Sequence, residues 1–342
     1  MRQIRAIQQI NPNYQLTWII NNICTNHCDY CVPDLHTGSN HHYDWQIARG
    51  FLNRILDEVA RPINLSISGG EPTLSPHLPE LVDMFYDRGH TITITSNGVR
   101  TAEWWHAIAP KLSSIAFSYH PSYHRDDFIE HCGAAAGHTY ATVRVMMDSR
   151  YFDVAVDMYR KILEHPTLSV EAVRIVPETS RRMTGAEYTE QQLVWINKYS
   201  MPVYKPRHLP GVKHSHMGAN YWWSDGTVDR YGRSNHLIAT KQNDFRGWAC
   251  NMGIESLFIG WNGWVKGANC LQNAGLFHIN DHARHQLPHK AEICTQPQCD
   301  CGTDVNLSKV PLNIDVSKLD ITPKPILSDQ EYSIRFYSPS NK

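Results

Sequence analysis

Residues Leu16–Cys31, LTWIINNICTNHCDYC, decide how the rest of the chain is read. The run Leu16–Cys24 is strand-like and ends directly in a loop carrying Cys24, Cys28 and Cys31. That spacing puts three thiolates on one short loop, close enough to grip three irons of a cubane cluster. Iron–sulfur clusters are ordinarily held by four cysteine thiolates. Three ligands leave one iron open, and an open coordination position is where a cluster does chemistry. A zinc knuckle is the competing reading. Structural zinc favours four closed tetrahedral ligands and repeated CxxC pairs, and this loop has neither a second CxxC nor a histidine at the usual spacing.

Working outward, strand-like and helical patterns alternate. Asp44–Ala60 repeats Ile47, Phe51, Ile55, Leu56 and Val59 at helical spacing behind Asp44 as N-cap. Further strands are expected at Asn64–Ser68, Thr91–Thr95, Ser114–Tyr119, Ala141–Met147 and Glu171–Val176. Helices are expected around Leu78–Arg88, Ala102–Ala109 and Asp153–Glu164. Six strands alternating with helices imply parallel βα units with right-handed crossovers, an α/β fold curling into a partial (β/α)6 TIM-like barrel. In such barrels function sits on the loops after the strands.

The alternation stops near residue 200. Hairpins are expected at Tyr221–Val228, around the turn dipeptide Asp225-Gly226, and at Ser256–Lys266, around Asn262-Gly263. Residues 305–342 hold several prolines and no helical period, and read as an extended tail that wraps the body. The expected organisation is therefore a barrel over 1–200, a small cysteine-rich domain over 201–305 and a tail over 306–342.

Lys+Arg total 32 against Asp+Glu 33, so the charge balance is neutral and disfavours a nucleic-acid partner. No stretch approaches a membrane span and the N-terminus lacks a signal-peptide core, so the protein reads as soluble and cytoplasmic. In that compartment nine cysteines point to metal binding rather than disulfides. Cys132 is expected to be a thiol without a ligand role. His41, His42, His214 and His216 read as solvated loop residues, since ligating histidines need convergent ligands and outer support.

After the strand at Asn64–Ser68 come Gly69, Gly70 and Glu71. Two glycines admit a backbone close to a ligand, and a carboxylate can accept from an ammonium; alone, the same letters read as a Gly-rich turn with a capping acid. Together with the cysteine loop they resemble the radical S-adenosylmethionine (radical SAM) superfamily. The family's CxxxCxΦC loop holds a 4Fe–4S cluster and leaves the fourth iron for SAM. The resemblance covers residues 14–305. It implies that Cys24, Cys28 and Cys31 are the catalytic cluster ligands and that Tyr30, at the Φ position, lies against the adenine. It also implies that Gly69, Gly70 and Glu71 bind the methionine amino group. Ser96, Asn97 and Gly98 match a polar turn facing the ribose and carboxylate. By strand count, Ser118 and Arg144 correspond to residues contacting the carboxylate and ribose, although Arg144 reads equally as a barrel ion-pair residue. Val176 corresponds to an apolar wall for adenine.

Cys250, Cys270, Cys294, Cys299 and Cys301 form a second group. The segment from Cys250-Asn251-Met252-Gly253 through Gly263-Trp264-Val265 to Cys270 resembles the opening of SPASM/twitch domains, followed by a Gly275–Ile279 run. A two-cluster SPASM domain uses seven cysteines; five here imply one auxiliary 4Fe–4S cluster, with Cys250, Cys270, Cys299 and Cys301 as the expected ligands and Cys294 as the substitute. A structural zinc is the alternative. The resemblance implies an oxidoreductase or maturase-type enzyme that cleaves SAM reductively and abstracts hydrogen from a small-molecule or peptide substrate, supplied by an electron donor such as flavodoxin or ferredoxin. The short stretch before the first strand leaves no room for a peptide-recognition domain and favours small molecules. A non-catalytic iron–sulfur or zinc protein, acting as sensor or scaffold, is the rival reading.

Overall fold

A computed structural model describes residues 2–10, 13–36, 38, 43–175, 186–205, 209–212, 218–232, 234–270 and 275–312. Val176, His41, His42, His214, His216 and most of the expected tail, 313–342, lie outside the described residues. The chain divides into two compact units. Met1–Trp18, His41–Leu65 and His216–Ile326 make one, and Ile19–Asn40, Ser66–Ser215 and Leu327–Lys342 make the other.

The chain opens with β1 (Ile4–Gln9), β2 (Tyr14–Ile19), α1 (Trp45–Glu58) and β3 (Ile63–Ser68). It continues with α2 (Leu78–Tyr86), β4 (Thr91–Ser96), α3 (Ala102–Ile108), β5 (Ser114–Tyr119), α4 (Phe128–Ala136) and β6 (Tyr140–Met146). Then come α5 (Phe152–Glu164), β7 (Ser169–Val173) and α6 (Glu190–Tyr199). Strands β2 to β7 follow one another in chain order in their sheet, the partial (β/α)6 arrangement expected from the alternation. Asp44 caps α1 as its sequence requires, its side chain accepting from the N–H of Gln46 and Ile47. Helix α4 was not legible: Gly133 and a run of alanines carry little amphipathic signal, yet Phe128, His131, Cys132 and Ala135 are buried there.

In the second unit, β4 to β7 are parallel, and alternation gives the sheet two different faces. Ile94, Phe117, Val143 and Val170 point to the apolar side and are at most 2% exposed. The opposite side carries Thr95, Ala116 and Thr142 in one row across the strands and Ser118, Arg144 and Glu171 in the next. A polar row beside strand ends is where a ligand can be held without opening the core.

The first unit contains β8 (Ala219–Trp223), β9 (Val228–Gly232), α7 (Ser234–Ala239), β10 (Trp248–Cys250), β11 (Ser256–Ile259) and β12 (Trp264–Lys266). It ends with β13 (Phe277–His278), β14 (Glu292–Ile293), α8 (Gly302–Val305) and β15 (Lys309–Pro311). Both expected hairpins form, with Gly226 and Gly263 at φ 81° and 79° in their turns. Strand β11 also pairs in parallel with β2, Leu257 opposite Leu16. A six-stranded sheet runs β14-β10-β15-β1-β8-β9. Residues 309–311 are therefore not extended tail: β15 pairs with β10 on one side and β1 on the other. Apolar alternation over so short a strand is too weak a signal, and only its two neighbours make it a strand.

Candidate functional site

Beyond the end of β2, the backbone of residues 20–23 stays zipped to the backbone after β3. Ile20 donates to Ser68 O at 2.9 Å, Gly70 donates to Asn21 O at 3.1 Å and Glu71 donates to Ile23 O at 2.6 Å. The Asn21 side chain donates to Glu71 O at 2.8 Å. This ladder delivers Cys24 beside the double glycine. It also explains Gly70: a Cβ there would collide with the carbonyl oxygens of Ile23 and Leu35, which bracket the cysteine loop.

Glu71 is fully buried, and its carboxylate is a hub. Oε1 accepts from Thr73 N at 3.0 Å, Thr73 Oγ1 at 2.6 Å and Ser96 Oγ at 2.8 Å. Oε2 accepts from Asn97 N at 2.6 Å. Burial pushes the carboxyl pKa up, and these donors pull against it. Asn97 in turn donates from Nδ2 to Thr25 Oγ1 at 2.9 Å and to Cys24 Sγ at 3.8 Å. One carboxylate thus ties the turn after β3 to the turn after β4, and Asn97 carries the tie to the first cysteine.

The loop itself is tight: Cys31 N donates to Cys28 O at 2.9 Å, and Asn26 N donates to Cys24 Sγ at 3.4 Å. Outside supports are Tyr123, whose hydroxyl accepts from His27 N at 2.9 Å, and Arg150, paired with Asp29 at 2.8 Å. Burial raises all three thiol pKa values, Cys28 to about 12. A metal cluster bound there must displace protons to gain its thiolates. Among the described residues, no three His, Cys, Asp or Glu side chains gather as ligands of a single metal ion. A cubane asks for a different pattern, one thiolate per iron spread across the cluster, and three cysteines on one turn with N–H donors aimed at sulfur fit it.

Tyr30 is buried with Cys28 and Ile175, and its hydroxyl shares a 2.7 Å hydrogen bond with His120 Nδ1. Sequence reading missed His120, because one histidine after a strand carries no signal by itself. Burial lowers its pKa from 6.5 to about 4. On acidification the unfolded chain then takes up a proton before the folded one does. Stability should be full above the unfolded pKa and fall as pH drops toward the folded value. Unfolding free energies from urea titrations between those two pH values are expected to fall as pH drops, a decline that His120→Asn lacks. An equal decline in the variant would place the acid sensitivity elsewhere.

Ser118 and Arg144 are register partners on β5 and β6, and Arg144 pairs through Nε with Glu171 Oε2 at 3.3 Å. The two residues are therefore adjacent across the strands, and the guanidinium is engaged by the next strand.

The Radical SAM superfamily model matches residues 18–120. That span runs from the end of β2 through the cysteine loop, Glu71 and Asn97 to His120. Residues 18–120 form a Radical SAM superfamily domain. A curated relative, 7-carboxy-7-deazaguanine synthase of Neisseria meningitidis serogroup B, is 28% identical over 145 residues, 42% of this chain and 58% of that protein. The crystal structure of Streptococcus suis SuiB bound to S-adenosylmethionine aligns with TM-score 0.50 and 13% identity, covering 79% of this chain and 64% of that one. Native anSMEcpe with bound AdoMet aligns with TM-score 0.46 and 14% identity, covering 79% and 78%. This chain thus spans less than two thirds of the synthase and of SuiB. The Radical SAM superfamily match over residues 18–120 implies a 4Fe–4S cluster and SAM as cofactors. Among the described residues no helix is long and apolar enough to cross a membrane.

The first unit gathers five further cysteines, Cys250, Cys270, Cys294, Cys299 and Cys301. Cys250, Cys270, Cys294 and Cys299 line one cavity with Met252, Asp304 and Lys309. Cys301 is the N-cap residue of α8 and does not line it. None of the nine cysteines is in a disulfide. Asp304 and Lys309 were not singled out in the sequence, where each is one charge in a short polar–apolar stretch.

Proposed function

We propose that this radical SAM protein is an enzyme that cleaves S-adenosylmethionine reductively and uses the resulting 5′-deoxyadenosyl radical to take hydrogen from a small-molecule or peptide substrate. One observation carries the reading: Cys24, Cys28 and Cys31 stand on a tight turn tied through Asn97 and Glu71 to the ends of β3 and β4. When bound through those cysteines, a reduced 4Fe–4S cluster with one open iron supplies the electron that breaks the sulfonium bond.

The chain's own groups have separable tasks. Asn97 and the Asn26 N–H stabilise negative charge on the Cys24 sulfur, a lever on cluster potential. Glu71 Oε2, with one internal donor, retains capacity for an ammonium, whereas Oε1 is committed to three. Arg144 reaches a substrate or SAM carboxylate by exchanging Glu171 for it, an Arg fork suiting either partner. Tyr30 and Ile175 supply apolar surface beside the loop. The 7-carboxy-7-deazaguanine synthase relative, whose name gives a small-molecule product, sides with the small-molecule arm of the proposal. The cysteine cavity of the first unit is read as an auxiliary cluster site, so that residues 201–305 act as an iron–sulfur module.

The test is SAM turnover. Protein reconstituted anaerobically with iron and sulfide, then reduced in the presence of SAM, is expected to release 5′-deoxyadenosine. Full iron loading without any 5′-deoxyadenosine, with and without a panel of substrates, would make the protein a sensor or scaffold instead.

A further inference from the structure

We propose that Cys250, Cys270, Cys294 and Cys299 are the four ligands of the auxiliary cluster, that Cys301 is not a ligand, and that the buried ammonium of Lys309 is the cluster's fixed countercharge. This rests on the auxiliary-cluster reading above, and it replaces the ligand set expected from sequence, in which Cys301 stood and Cys294 was the substitute.

Strand pairing assembles the site. Cys250 lies directly opposite Lys309 across β10 and β15, and opposite Glu292 across β10 and β14. Cys294 continues from β14, with its N–H donating to Trp248 O at 2.8 Å, so it stands close along the same strand pair. Cys299 is pinned from the other side, its N–H donating to Asn243 O at 2.9 Å while Asn243 Nδ2 donates back to Cys299 O at 3.3 Å. Cys270 packs with Cys250 and Met252. Cys301 is outside the cavity lining, and its thiol lies beside Asp304 and Asn269. A cluster would have to draw it away from both neighbours.

Lys309 is 2% exposed. Its Nζ donates to the carbonyl oxygens of Asp304, Val305 at 3.2 Å and Leu307 at 3.2 Å. Three acceptors match the three N–H bonds of an ammonium; a neutral amine has only two. The Phe245 ring centroid lies 5.3 Å from it. Carbonyl dipoles orient the charge but do not neutralise it, so a buried cation gains from anionic neighbours. The cavity wall also holds Asp304, whose Oδ2 has no hydrogen-bond partner among the described residues. Lys309 stabilises the Asp304 carboxylate and, in the same sense, the Cys250 and Cys299 thiolates. A cubane with four thiolates is a dianion when oxidised and gains one more negative charge on reduction. A fixed cation in the wall favours the second state more than the first, and so raises the reduction potential.

The experiment uses full-length protein in which Cys24, Cys28 and Cys31 are all alanine, reconstituted anaerobically with iron and sulfide. In that background Cys301→Ala is expected to keep the parent's iron content, absorbance and paramagnetic signal when reduced, and Cys294→Ala to lose the four-cysteine signal. Redox titration is expected to show a lower midpoint potential for Lys309→Met and a near-parent one for Lys309→Arg. Should Lys309→Met not fold, Lys309→Gln gives the same comparison, and the two cysteine variants decide the ligand set independently. Loss of the cluster in Cys301→Ala with retention in Cys294→Ala, or an unchanged potential without the charge, overturns the proposal. Absence of any cluster in the parent background instead refutes the auxiliary-cluster reading itself.

Discussion

A chain with Cys24, Cys28 and Cys31 all replaced by alanine is expected to lose about four irons, the content of one cubane, and all SAM cleavage. The fold should survive the change. The loop is held by backbone bonds from Gly70 to Asn21 and from Glu71 to Ile23, and by the Asn21 side chain on Glu71 O, none of which involves sulfur. Iron and sulfide analysis beside a 5′-deoxyadenosine assay reads the result, and a thermal melt confirms folding. Unchanged iron, or SAM cleavage that persists, would remove these three cysteines from the catalytic cluster.

The second large effect is expected at Glu71. Alanine there leaves four donors, Thr73 N, Thr73 Oγ1, Ser96 Oγ and Asn97 N, facing a hole in a fully buried site. Removing one side of a buried charged network costs about 3–5 kcal/mol. Against a total stability of about 5–15 kcal/mol that is a large share, and a fall in Tm of roughly ten degrees follows for a domain of this size. Glu71→Gln is milder, because its amide offers a single acceptor oxygen and turns a donor toward one of the four. The two possible roles separate cleanly in the glutamine variant. Weaker SAM binding at unchanged Tm means that the carboxylate meets the ammonium directly. Weaker binding together with a lower Tm means that it acts by holding Ser96 and Asn97 in place. A parent-like Tm for Glu71→Ala would show that the network contributes nothing to the fold.

Much of this site was readable along the chain because its signals are local. Three cysteines in eight residues, two glycines and an acid at a strand end, and an Asn-Gly turn one strand later are each short patterns with a chemical reason. The alternation of strands and helices was equally readable, since apolar periodicities of two and 3.6 residues need no partner to be seen. Why Gly70 must be glycine was not readable, because the atoms that exclude a side chain belong to Ile23 and Leu35. The hub at Glu71 was hidden for the same reason: its donors come from two different turns.

The C-terminal half shows the limit most clearly. Sequence alone placed five cysteines there, with one expected hairpin between Cys250 and Cys270, and favoured a metal over disulfides for them. Resemblance to SPASM/twitch domains put Cys301 ahead of Cys294, with nothing in the sequence to show which of the five faces a common space. The tertiary structure places Cys294 on the cavity and Cys301 outside its lining, which is the ground for the ligand set proposed above. It also carries Lys309, which reads as one charge in a proline-bearing tail, into a strand opposite Cys250. A strand as short as β15 has almost no signature of its own. It exists because β1, some 300 residues earlier, and β10 offer it hydrogen bonds on both sides, and pairings of that sequence separation are settled only when the whole chain has folded.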